Sequence, residues 1–154
     1  MTGFLVVTDS EPLITLAMTG ALDALFLPCA AVIIPDMVRY DIDQDLSMPG
    51  AAVVGDWICR NEPDRLTVES TEVYEEFLVL RAVNPATKIK NRCEQAAAEV
   101  VNRKLEEPCL GVVLLFGDSA IQNAIFLTRV PESVVVVSTS EFLAESVSLL
   151  LGKY

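Results

Sequence analysis

Four stretches of this chain are almost wholly apolar, and each stops at a polar or acidic residue that opens a segment with helical spacing. GFLVV (Gly3–Val7) stops at Thr8-Asp9, AAVIIP (Ala30–Pro35) at Asp36, GVVLLF (Gly111–Phe116) at Gly117-Asp118, and SVVVV (Ser133–Val137) at Ser138-Thr139-Ser140. A strand wetted on one face alternates apolar with polar residues, whereas a continuous apolar run fits a strand buried on both faces. Strands of this kind alternating with helices predict an α/β fold, a three-layer α/β/α domain around a central parallel sheet of about four to five strands.

After Asp9 the spacing of Leu13, Leu16 and Ala17, then of Leu22, Leu25 and Phe26, predicts a helix and a second short one, divided at Gly20. Ser10 is the expected N-cap, with Pro12 in the first turn. Met37, Val38 and Ile42 predict a helix that carries Asp41. A further helix is expected over 49–60 from Pro49, a brief strand over 66–68, and a helix or ordered loop over 71–83. Beyond Pro85, Ile89, Cys93, Ala96, Ala97 and Val100 form one apolar stripe. They predict a single long amphipathic helix, with Glu94 beside the stripe and Lys88, Lys90 and Arg92 on its polar face. SAIQNAIFL and EFLAESVSLLLG read as helices after the last two strands.

At 154 residues the chain has the length of one domain, and one domain over 1–154 is expected. Hydrophobic residues make up 52% and charged ones 21%, a composition that supports a substantial core rather than disorder. The apolar runs fall short of the roughly 20 residues of a membrane-spanning helix. The N-terminus has no basic segment ahead of its apolar run. The expectation is a cytoplasmic protein with no membrane partner.

Histidine is absent, and Cys29, Cys59, Cys93 and Cys109 form no CxxC pair, so a zinc ligand set and the His-dependent nucleophilic triads are both excluded. Hydrolytic chemistry here must rest on carboxylates. The net charge of −11 opposes general attraction to nucleic acid. Six of the eleven cations, Arg81, Lys88, Lys90, Arg92, Arg103 and Lys104, nevertheless fall in one segment and allow a local basic face. No GxGxxG, Walker A or DxDxT pattern follows a strand.

A strand-end aspartate such as Asp9 or Asp118 is most simply a helix cap. Several such carboxylates at one pocket would instead demand a hard cation, Mg²⁺ or Mn²⁺. Cys93 is expected to be a buried structural thiol, and Asp36, Asp43 and Asp45 to be solvated, with any of these three an alternative to Asp41 as a ligand. Periodicity alone does not bring Asp41 and Glu94 to the same place.

VVTDSEPLITLAMTGALDALF, followed by VIIPDMVRYDI, CEQAAAEV and LLFGDSA, resembles the PIN-domain family over most of the chain. The resemblance implies that Asp9, Asp41, Glu94 and Asp118 are four catalytic carboxylates that bind one or two Mg²⁺ or Mn²⁺ ions. It also matches Thr139 in VVVVSTSEFL to a hydroxyl near the metal, with Ser10 as a second supporting hydroxyl. Three positions depart from the family pattern: Asp41 stands where Glu is usual, Cys93 where Gly precedes the Glu, and Gly117 where a second acid is frequent.

The implied activity is that of a metal-dependent endoribonuclease, leaving a 5′-phosphate and a 3′-hydroxyl; Lys88, Lys90 and Arg92 are the candidates for steering the RNA backbone, against the plainer reading in which they form only the polar face of the helix. Many proteins with this resemblance are toxins of bacterial toxin-antitoxin pairs, which implies RNA as substrate, a homodimer and a small antitoxin as partner. The alternative is a catalytically inactive PIN-like protein that serves as an interaction module for protein or RNA.

Overall fold

A computed structural model describes residues 4–26, 29–89, 91–106, 111–117 and 134–144. Five strands, β1 (Phe4–Thr8), β2 (Cys29–Pro35), β3 (Leu66–Glu69), β4 (Val112–Phe116) and β5 (Val134–Ser138), form one sheet. The order is β3-β2-β1-β4-β5 and every pairing is parallel. The α/β class and the parallel sheet read from the apolar runs are therefore those observed.

The helices among the described residues are α1 (Ser10–Met18), α2 (Asp36–Asp43), α3 (Ala51–Asn61), α4 (Glu72–Val83) and α5 (Arg92–Leu105), with a short 3-10 helix at Leu22–Phe26. A further helix begins at 139 and runs at least to 144. Strand alternation sends Val6, Val32, Ile34 and Leu115 into one cluster with Leu13, Leu16, Val54 and Trp57 of α1 and α3. Val7, Ile33, Leu114 and Phe116 pack with Ala97, Val100 and Val101 of α5 in a second cluster. Both faces of β1, β2 and β4 are thus covered, as continuous apolar strands require, whereas β5 is an edge strand whose Val135 is exposed, so that apolar run is not buried on both faces as expected.

α5 joins the two layers. Its small residues Ala96 and Ala97 are fully buried and let the helix lie close to the sheet, while Cys93 and Ala96 in its first two turns reach the larger cluster.

Several expectations need correction. The cap of α1 is Asp9, not Ser10: Asp9 is extended and its carboxylate accepts from Ser10 N, while Ser10 is already helical. The helix expected from Pro49 begins at Ala51, because Gly50 is left-handed at φ +86°. The long helix expected from beyond Pro85 begins only at Arg92, since Asn91 adopts φ +66°, a conformation that breaks helical continuity. Ile89 still packs against the core, but Lys88 lies outside the helix and is exposed. Over 71–83 the helix reading holds, with Thr71 Oγ1 accepting from Tyr74 N at 3.1 Å as the N-cap.

Asp36 is not a solvated side chain. It accepts from Thr71 N at 3.0 Å, Thr71 Oγ1 at 2.7 Å and Met37 N at 2.8 Å, and so ties the start of α2 to the start of α4. Asp43 pairs with Arg39 at 2.7 Å, and exposed Asp45 caps a turn at Ser47. The helix expected at SAIQNAIFL falls outside the described residues.

Candidate functional site

β1 and β4 are neighbours at the centre of the sheet, where the strand order reverses. In open parallel sheets this is where a crevice forms, beyond the carboxyl ends of the strands. Asp9 follows β1 directly, and Asp9 N donates to Leu115 O of β4 at 3.0 Å, which fixes the aspartate at that crevice. Gly117 follows β4 directly, and Asp118, the next residue, lies outside the described residues.

Asp9 is 4% exposed. Its Oδ1 accepts from Ser10 N at 2.8 Å, a bond that favours the ionised form. Burial opposes it most strongly, and repulsion from Glu94, then Asp41 and Glu11, adds to burial, so that its pKa is pushed up to about 7. Asp9 therefore meets the electrostatic field of the other carboxylates that the sequence left scattered.

Asp41 reaches the site from the last turn of α2. Ser10 Oγ donates to Asp41 Oδ2 at 2.8 Å, joining the first turn of α1 to α2 across 31 residues of sequence. The Cys93 thiol faces the same oxygen at 3.8 Å and Met37 O at 3.9 Å. Burial, followed by the charges of Asp9, Asp41 and Glu94, holds that thiol far above its usual pKa, so Cys93 is an inert packing residue, as its 5% exposure also indicates.

Glu94 follows in the first turn of α5, where the helix dipole favours an acid. Its Oε2 is fully buried and accepts no hydrogen bond, alone in this respect among the described side chains. A buried carboxylate oxygen without a donor costs about 1–3 kcal/mol or more, a cost that an ordered water or a bound cation would relieve.

Thr139 is 3% exposed, at the start of the last helix. The preceding Ser138 and Glu141 form a capping box: Ser138 Oγ accepts from Glu141 N at 3.1 Å and Ser138 N donates to Glu141 Oε1 at 3.3 Å. This fixes Thr139, whose Oγ1 donates to Phe116 O at 3.4 Å and to Glu11 Oε2 at 3.3 Å.

Glu11 reaches this crevice through Thr139 without being a candidate in the sequence; its one signal there is an acid two positions after Asp9, in the first turn of α1.

The structure thus brings Asp9, Asp41, Glu94, Ser10 and Thr139 to the carboxyl end of the sheet. The basic residues have other engagements or lie elsewhere. Arg92 sits 5.6 Å from the Phe77 ring centroid and 4.0 Å from Glu76, Lys88 is exposed, and Lys90 is outside the described residues. No ion pair among the described residues reaches Asp9, Asp41 or Glu94.

The donor set suits a divalent cation: carboxylate oxygens are hard ligands, the Glu94 oxygen lacks any other partner, and the mutual repulsion felt at Asp9 is what a cation relieves. Among the described residues, Cys, Asp and Glu do not by themselves form a group of three or more at ligand spacing. No protein-family model and no curated protein matches this chain, and the PIN-domain resemblance rests on the residues quoted for it.

Proposed function

We propose that this protein is a metal-dependent endoribonuclease of the PIN-domain kind, with Asp9, Asp41, Glu94 and Asp118 as the carboxylates that would hold Mg²⁺ or Mn²⁺. The observation that carries this reading is the buried, donorless Glu94 Oε2 beside Asp9 at the reversal of strand order. Bound there, a divalent cation supplies positive charge that acidifies water and offsets the charge developing on a phosphodiester.

The chain's own groups hold that arrangement in place. Ser10 N fixes Asp9 and Ser10 Oγ fixes Asp41, so one residue orients two carboxylates. The first turn of α5 delivers Glu94, and burial of Asp9 and Cys93 keeps bulk water from screening the cluster. Lys88, Lys90 and Arg92 would guide the RNA backbone, a role left to few cations in a chain of net charge −11.

The same acidic pocket suits a basic segment of a small antitoxin, which supports assignment to the toxin of a toxin-antitoxin pair acting in the cytoplasm. α4 presents Val79 (66% exposed), Leu80 and Val83 (85% exposed) to solvent, an apolar face that supports a homodimer.

Cleavage of a mixed RNA substrate with Mg²⁺ or Mn²⁺ tests the activity, using wild type, Asp9→Asn and Asp118→Asn purified identically. Metal-dependent cutting that both substitutions abolish is the expected result. Equal cutting by all three, or none by the wild type with either metal, favours the second reading, an inactive interaction module. That reading draws on one specific observation: Asp41 Oδ2 already accepts from the Ser10 hydroxyl and faces the Cys93 thiol.

A further inference from the structure

An acid in the first turn of a helix is ordinarily explained by the helix dipole, and Glu11 of α1 meets that description. The dipole does not account for where its carboxylate goes. Oε1 accepts from Thr15 Oγ1 at 3.2 Å, on the same helix, and Oε2 accepts from Thr139 Oγ1 at 3.3 Å, 128 residues away. Two hydroxyls from different elements therefore hold a side chain that is exposed to solvent and would otherwise be free to sample many rotamers.

The carboxylate lies over Gly117. A Cβ at that position would overlap Glu11 Oε2 and come within 2.5 Å of its Cδ. Gly117 does not adopt a positive φ, so backbone conformation does not call for glycine here. What calls for it is the room that Glu11 occupies, between the end of β4 and Thr139, immediately before Asp118 and near enough to Asp9 to act on its charge.

We infer that Glu11 is a further carboxylate of the cation site, delivered from the first turn of α1 into the space left by Gly117 and held there by Thr139. The inference rests on the metal-site reading above and extends it by a residue that its motif does not include. A carboxylate added from this side raises the negative charge available to a divalent cation, and loss of such a group weakens metal affinity by about 10–100-fold.

The test is titration of Mn²⁺ into wild type, Glu11→Gln, Gly117→Ala and the double variant by calorimetry, without RNA. Because an alanine methyl at 117 would meet only atoms of the flexible Glu11 side chain and no backbone, Gly117→Ala should fold as the wild type does and act by displacing Glu11. A fall in Mn²⁺ affinity of about tenfold in each single variant, with the double variant no weaker than the singles, is the expected pattern. Wild-type affinity in folded Glu11→Gln, or losses that multiply in the double variant, overturns the role of Glu11 and leaves the metal site standing. Absence of Mn²⁺ binding by the wild type overturns the metal site and the role of Glu11 together.

Discussion

Glu94 and Glu99 stand five residues apart on α5 and meet opposite treatment. Glu99 accepts from Glu72 N at 2.8 Å and Val73 N at 3.2 Å, in the first turn of α4, and from Arg103 Nη2 at 2.9 Å. Arg103 and Lys104 also pair with Glu69, at 3.2 Å and 2.6 Å. At this end of the helix Glu99, Arg103 and Lys104 all have partners, and α4 gains acceptors for N–H groups that its own helix cannot satisfy. At the other end Glu94 Oε2 has none, and Asp9, Asp41 and Glu11 add further negative charge. Among the described residues of a chain with eleven cations and 22 acids, Arg103 and Lys104 staple the fold while no ion pair reaches Asp9, Asp41 or Glu94. Polar groups satisfied at one end and starved at the other separate a structural glutamate from the one proposed to hold a cation.

The two ends can be broken separately. Glu94→Gln should lower metal-dependent RNA cleavage by at least about 100-fold in a single-turnover assay while leaving the protein folded. If cleavage persists, Glu94 belongs with Glu99 and not with the site. A saturating divalent cation, at 100 times its Kd, should stabilise the wild type by about 2.7 kcal/mol in denaturant titration. Glu94→Gln should show much less of this gain, and equal gains in both proteins would place the cation elsewhere.

Glu99→Ala should cost about 2 kcal/mol of stability, through loss of charge-assisted hydrogen bonds, with cleavage per folded molecule unchanged. A loss of activity at full stability would reverse the assignment of the two ends.

Asp9→Asn sharpens the contrast through pH. The folded-state pKa of Asp9 is raised to about 7 from an ordinary value of 3.8, so the folded protein retains a proton that the unfolded chain releases. The stabilisation this gives is fully present below about pH 4, declines as pH rises toward 7 and is absent above it. Asn cannot ionise. The variant should therefore lack that decline and, in metal-free buffer at pH 8, exceed the wild type by about 1–2 kcal/mol. Parallel stability profiles from pH 4 to 8 would refute the claim of strain at Asp9.

The smallest effect is expected for Lys88→Glu with Lys90→Glu, which should weaken RNA binding a few-fold and flatten its salt dependence by about one to two units of slope. Unchanged binding would remove these lysines from the RNA path.

The fold was legible wherever local pattern and burial coincide. Val6-Val7, Val32–Ile34 and Leu114–Phe116 are apolar without alternation because both faces of their strands are covered, and that burial is what the sequence records. Helix starts were less legible. Ser10 looked like a cap, but Asp9 one residue earlier already offered the acceptor, and the helix expected from beyond Pro85 was cut short by a left-handed Asn91 that leaves the apolar stripe intact. The site was legible in part: Asp9 announced itself at a strand end, while Glu11 looked like an ordinary first-turn acid because its partners, Gly117 and Thr139, are more than 100 residues away.

By itself the sequence determined a parallel α/β sheet, since its central strand runs are too apolar to face water, and, containing no histidine, it excluded His-dependent catalytic arrangements. Tertiary structure alone decided which carboxylates meet. Strand order sets β1 beside β4, and the packing of α2 and α5 brings Asp41 and Glu94 to Asp9, with Glu11 laid over Gly117. Those contacts join residues tens of positions apart, and no local preference of the chain specifies them: they follow only when the apolar faces of sheet and helices have chosen how to bury one another.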